Sequence, residues 1–162
     1  MAASTVAAAV AALFDMATPE EARTLDGITH ALARKRARPI RVVDTDDLPA
    51  GVCGRWARTP TEDVLELRAG LPTRNWTWAH ELGHMALAHQ GSPVTDVARG
   101  SVTKVNAALI EYMLNRGHGH GQTKDGQEDE AEAFAGLLMS RLRQTSRSSM
   151  PAVKTRLRDT LS

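Results

Sequence analysis

Trp76-Thr77-Trp78-Ala79-His80-Glu81-Leu82-Gly83-His84-Met85-Ala86-Leu87-Ala88-His89 is the stretch that decides how this chain folds. Leu82, Met85, Ala86 and His89 recur at helical spacing among good helix formers. The stretch therefore reads as a half-buried helix, from about Thr73 to about Gln90, stopped by Gly91-Ser92-Pro93. On a helix, residues four apart share a face, with about 5–6 Å between Cβ atoms. His80 and His84 thus offer two imidazoles from one turn, placed to grip a single metal ion. Glu81 stands one step round the same turn. Polar groups at buried height need partners, and a shared metal would be one. Gly83 costs about 1 kcal/mol in a helix interior relative to Ala. Its best use is to let another helix or strand come close beside the histidines.

His80-Glu81-Leu82-Gly83-His84 has the form H-E-x-x-H, which marks a large group of zinc metallopeptidases. Five residues with three fixed positions also arise by chance, and a surface helix can carry His, Glu and His without a metal. The apolar flanks argue against such a surface helix. If zinc binds, its water has a pKa near ~7, against about 15.7 in bulk. Glu81 could take that proton and deliver hydroxide to a peptide carbonyl.

The composition suits such a chemistry without demanding it. A chain of 162 residues is most simply one domain with a real core. The domain is expected over residues 1–142, with a basic tail at 143–162. Aromatics are only 4%, so small hydrophobes must fill much of the interior. The net charge of +1 gives no global field for nucleic acid or a membrane surface. Cys53 has no second cysteine to pair with and is expected to pack as a small hydrophobe. Residues 1–17 are apolar and Ala-rich, yet they lack a basic start and carry Asp15. Val6, Val10, Leu13 and Phe14 form one helical stripe there, so an amphipathic helix is expected rather than a secretion signal. With no apolar run near the ~20 residues of a membrane span, a cytoplasmic protein is expected.

Thr18-Pro19-Glu20-Glu21 reads as the start of a second helix, through Leu25, Ile28, Thr29 and Leu32 to the cluster Arg34-Lys35-Arg36-Ala37-Arg38. Three strand-like runs follow: Ile40-Arg41-Val42-Val43, Val52-Cys53-Gly54-Arg55-Trp56 and Val64-Leu65-Glu66-Leu67. Their close spacing predicts an antiparallel meander. Val102, Val105, Leu109, Tyr112 and Met113 fit a further helix that frays at Arg116-Gly117, and 117–126 reads as a loop. A strong helix then begins near Asp125 and carries Glu128, Asp129, Glu130 and Glu132 ahead of Phe134, Leu137, Leu138 and Met139. Thr145, Ser146, Ser148 and Ser149 predict a loose stretch before Pro151. The fold class expected is α+β, a small three-stranded, mainly antiparallel sheet on a helical core.

Catalytic zinc takes three protein ligands plus water. A third histidine of the H-E-x-x-H-x-x-G-x-x-H type is absent, because Leu87 and Gln90 stand at the required Gly and His positions. His89 reads as a polar end to its helix. Glu128 and Glu132 are four apart and share a face. One could bind the metal while the other hydrogen-bonds the free ring nitrogen of a ligand histidine. This layout resembles that of the thermolysin-like zincins.

Two blocks extend the likeness. The strand Val64–Leu67 with Trp76–His84, and the run Glu128-Asp129-Glu130-Ala131-Glu132-Ala133-Phe134-Ala135-Gly136-Leu137-Leu138-Met139, together resemble the ImmA/IrrE family of bacterial metallopeptidase-like proteins. The similarity spans roughly 25–142. It implies a zincin-like fold with Zn2+ held by His80, His84 and Glu128, Glu81 as general base and Glu132 as their support. Glu132 falls where the family more often has Asn or Asp, Arg141 where Pro is usual, and the segment 94–126 is a long insertion. The resemblance further implies a zinc-dependent endopeptidase that cleaves a protein regulator such as a transcriptional repressor. Any DNA-binding partner would be a separate chain. Tyr112, His118 or His120 could donate a hydrogen bond to the oxyanion or line the rim. The alternative is a protein on a metallopeptidase scaffold that holds a regulator or toxin partner without cutting it. The intact Glu81 argues for an enzyme, since a scaffold has no need of it.

Overall fold

The structure is a computed structural model describing residues 2–89, 92–93, 112–115 and 122–148, with side chains for 4–89 and 126–148. Apolar residues at steps of four and three lead the chain into its first helix, α1 (Ala2–Met16), where Val6, Val10 and Leu13 are buried. Thr18 and Glu21 then cap each other. The Thr18 N–H donates to Glu21 Oε2 at 2.9 Å, and the Glu21 N–H to Thr18 Oγ1 at 3.2 Å. They close only a single 3-10 turn, Glu21–Arg23. The helix expected from Pro19 begins instead at Leu25, as α2 (Leu25–Arg36), because Thr24 supplies a second cap that accepts from the Gly27 N–H at 3.0 Å. The turn lies hard on the helix start: a Cβ on Gly27 would sit 2.3 Å from the Glu21 carbonyl oxygen. The Arg34 guanidinium binds Glu21 and brings its carboxyl down to about 2.

Two arginines of the basic cluster that ends α2 turn inward. Ala37 takes the left-handed conformation at φ 50° and closes the helix. Arg36 and Arg38 both reach Asp63, at 2.9 Å and 3.2 Å, and that carboxylate is fully buried. Asp63 opens the third of three strands, β1 (Ile40–Thr45), β2 (Gly54–Arg58) and β3 (Asp63–Arg68).

These strands lie where they are expected but are arranged differently. β2 and β3 form an antiparallel hairpin with Trp56 opposite Leu65. β1 pairs with β3 in parallel, Val42 opposite Leu65. The sheet is therefore mixed, which corrects the antiparallel meander. β3 takes the place between β1 and β2, so the connection from β1 passes over the end of β3. Arg68 at that end holds the crossing: its Nε donates to the Val52 carbonyl at 3.0 Å, its Nη2 to those of Leu48 and Pro49 at 3.0 Å and 2.6 Å. Spacing alone assumes that consecutive strands are neighbours, which fails about a third of the time. Two short strands, β4 (Ser92–Pro93) and β5 (Tyr112–Asn115), extend the sheet beyond β2 in the order β1-β3-β2-β5-β4. Tyr112 and Met113 are thus extended rather than helical, because pairing with the free edge of β2 outweighs their fit to a helical stripe.

Two helices complete the described fold: α3 (Arg74–Ala86) and α4 (Gln122–Ser148). Their apolar faces meet the sheet and the first two helices in one core, with Leu82 and Met85 from α3, Phe134 and Leu138 from α4, and Leu65 and Leu67 from β3. α4 continues through the stretch expected to be loose. Thr145 and Ser146 turn their hydroxyls back to the carbonyls of Arg141 and Leu142, at 3.1 Å and 2.9 Å, and so stay within the helix. The later part of the expected basic tail lies outside the described residues. Among those described, no helix is long and apolar enough to cross a membrane.

Candidate metal centre

α3 buries an unbroken run from Thr77 to Met85, and with it three titratable side chains. His80, Glu81 and His84 are each at most 2% exposed. The helix stops at Ala86, earlier than the expected Gln90. Ala88 turns left-handed at φ 54°. The Ala88 N–H then donates to the Met85 carbonyl at 3.3 Å and the His89 N–H to that of His84 at 3.0 Å. This paired closure is a common helix stop, usually built on glycine. It folds His89 back against the helix it has just left. Arg36 seals the same end, its Nη1 donating to the Met85 carbonyl at 2.9 Å.

A left-handed alanine is strained by about 1–2 kcal/mol relative to glycine. Ala88→Gly should therefore raise stability by about 0.5–1 kcal/mol after the greater freedom of unfolded glycine is set against it. Denaturant unfolding of the purified variant checks this, and a loss of stability would contradict the assigned turn.

Gly83 is where α4 comes in. A Cβ there would lie 3.1 Å from both the Ala131 Cα and the Phe134 ring. This approach brings the acidic side of α4 over the two histidines. Glu128 Oε2 lies 3.3 Å from His80 Nε2, and Oε1 lies 3.3 Å from His84 Nε2. The two Nε2 atoms face each other at 2.9 Å. One ligand atom from each of His80, His84 and Glu128 falls within 4.8 Å of the others, so this group could hold a metal ion. Burial pushes the His84 imidazole toward the neutral form, against the opposing pull of Glu128. The His80 and then the His84 ring, each 3.3 Å away, hold the Glu128 carboxyl well below the usual carboxylate range. Neutral imidazole and ionised carboxylate are the states that bind metal.

Glu132, one turn along α4, lies behind His80, its Oε2 3.1 Å from His80 Nδ1. The same carboxylate accepts the Trp76 indole N–H at 3.0 Å, which ties it to the start of α3. Glu81 is packed against the beginning of β2. A Cβ on Gly54 would lie 3.0 Å from Glu81 Oε1 and 2.6 Å from Thr77 Cγ2. Gly54 is a residue that sequence reading passed over, although a glycine inside a strand is itself a sign of close approach. Of the suggested rim residues, Tyr112 has its backbone in β5 opposite Arg58, while His118 and His120 lie outside the described residues.

His89 and Glu130 were not read as part of the site. His89 Nδ1 is 2.9 Å from His84 Nδ1, and His89 Nε2 is 3.0 Å from Glu130 Oε2. Their only sequence signal is the presence of the residue types. The fold-back depends on an alanine in a left-handed conformation, which nothing in the residue string announces. Comparison with protein-family models, with curated protein sequences and with solved structures gives no match.

Proposed function

We propose that this chain is a zinc-dependent endopeptidase that cleaves a protein regulator such as a transcriptional repressor. The observation that carries the reading is the convergence of three donor atoms from two helices, with the buried Glu81 on the same helical turn as two of them. Two imidazoles and one carboxylate make the ligand set of a catalytic zinc, leaving a fourth position open. His80 and His84, through Nε2, and Glu128 would hold the ion. Bound there, zinc would supply Lewis acidity toward a peptide carbonyl and acidify water to a pKa near ~7.

The chain's own residues do the rest. Burial favours neutral His84, and the neighbouring rings favour ionised Glu128, the states that bind metal. Glu132 takes the proton on His80 Nδ1 and leaves Nε2 as the free lone pair. Glu81 accepts a proton from the attacking water and returns it to the departing amine. The choice of a regulator as substrate rests on the likeness of residues 76–84 and 128–139 to the ImmA/IrrE family.

The test is metal content followed by cleavage. Purified protein should carry about one zinc per chain. It should cut a repressor encoded in a neighbouring gene, lose that activity to a chelator and regain it with added zinc. Protein that retains no divalent metal, or that leaves every such partner intact while loaded, would overturn the proposal.

A further inference from the structure

We infer that His89 and Glu130 are positioning residues for His84, joined to it in a hydrogen-bond chain that settles which of its ring nitrogens faces the metal. The inference rests on the metal site described above. Its starting point is a difference between the two ligand histidines. His80 has a carboxylate directly behind it, Glu132 at 3.1 Å from Nδ1. His84 has another imidazole there instead, that of His89 at 2.9 Å.

An imidazole can accept or donate at that position, so the contact alone settles nothing. The next link does. His89 Nε2 lies 3.0 Å from Glu130 Oε2, and an ionised carboxylate only accepts. The proton on neutral His89 must therefore sit on Nε2. His89 Nδ1 is then a lone pair and can only accept. The proton on neutral His84 must in turn sit on Nδ1, and its Nε2 is left bare, facing His80 Nε2 and Glu128. The reverse arrangement would set the His89 Nε2 lone pair against a carboxylate oxygen in a place where the His89 side chain is only 5% exposed. One order of protons satisfies Glu130, both nitrogens of His89 and Nδ1 of His84, and it leaves the Nε2 lone pair that a metal ligand requires.

The backbone is built to hold this chain. The turn at Ala88 brings His89 back, and its N–H is fixed to the carbonyl of the same His84 that its ring contacts. The two rings meet edge to face, with centroids 5.0 Å apart and planes at 68°. Glu130 comes from α4, the helix that also supplies Glu128 and Glu132. Both ligand histidines are thus oriented from α4, one directly and one through an intermediate ring.

The experiment is a zinc competition titration against a chromophoric chelator, on the parent chain and on His84→Ala, His89→Ala, His89→Asn and Glu130→Gln. Thermal melts of each protein in chelator record the metal-free stability. His84→Ala should lose high-affinity zinc. His89→Ala should bind zinc about 10- to 100-fold more weakly, the usual effect of removing a group that orients a ligand. His89→Asn can place its amide oxygen where Nδ1 stood and should recover most of that loss. Glu130→Gln keeps an acceptor for the His89 proton and should lose no more than a few-fold. Bound cobalt should report the same order in its visible absorption. Parental affinity in His89→Ala, beside a clear loss in His84→Ala, would overturn the chain and leave the metal site standing. Equal losses in His89→Ala and His89→Asn would overturn it too, since packing rather than an acceptor would then be what His89 supplies. If His84→Ala matches the parent, the metal site itself is what fails.

Discussion

Glu81→Gln is expected to fold, to keep its metal and to stop cutting. Glutamine has nearly the shape of glutamate, so the close packing against Gly54 survives the change. What disappears is a group that can take a proton from water and give it to an amine. General acid–base catalysis is worth about 10²- to 10⁴-fold, and the rate of cleavage should fall by that much or more. Three measurements are made together: metal content, thermal midpoint and the rate of regulator cleavage. Loss of rate with metal and midpoint preserved supports the role of Glu81. A variant that behaves like the parent in cells would mean that the chain acts by holding its partner.

Asp63→Ala should be the most damaging change away from the site. Asp63 is fully buried and receives Arg36 and Arg38 at once. Removing one partner of a buried ion pair costs about 3–5 kcal/mol, because the remaining charge is left without compensation. Here two guanidinium groups would be stranded. Arg36 also lies 5.1 Å from the Trp56 ring centroid and donates to the last turn of α3. The loss should therefore reach the metal site as weakened binding, beyond the fall in overall stability. Denaturant unfolding of the metal-free variant gives the first quantity and a zinc titration the second. A change under about 1 kcal/mol, the scale of an exposed pair, would show that the cluster is not the buried clamp described.

Much of the site was legible because it is local. His80, Glu81 and His84 share one helical turn, and a period of about 3.6 residues brings them together whatever surrounds them. Glu128 and Glu132 follow from the same rule on a second helix. That the two helices meet was suggested by Gly83 and by the apolar face carrying Phe134 and Leu138. Elements governed by long-range geometry were less legible. β1 and β3 are parallel neighbours because the chain crosses over and Arg68 holds the crossing, and strand spacing contains neither fact. Thr18 and Thr24 are equally good caps in the sequence, and only the folded chain shows that Thr24 opens α2. His89 reads as a helix end in the sequence because a left-handed alanine has no signature of its own.

The acidic run of α4 has a consequence for the stability of that helix. Glu128, Asp129, Glu130 and Glu132 crowd four anions into little more than one turn, beyond the first turn where the dipole would favour them. Like charges at this spacing oppose helix formation by a few tenths of a kcal/mol per pair, about 0.2–0.5. Left alone, this part of the helix would repel itself. Imidazole and indole hydrogens relieve it, through His89 on Glu130 and through His80 with Trp76 on Glu132. The helix that completes the centre thus owes part of its own order to being docked there, and whatever draws it away from the histidines also begins to unwind it.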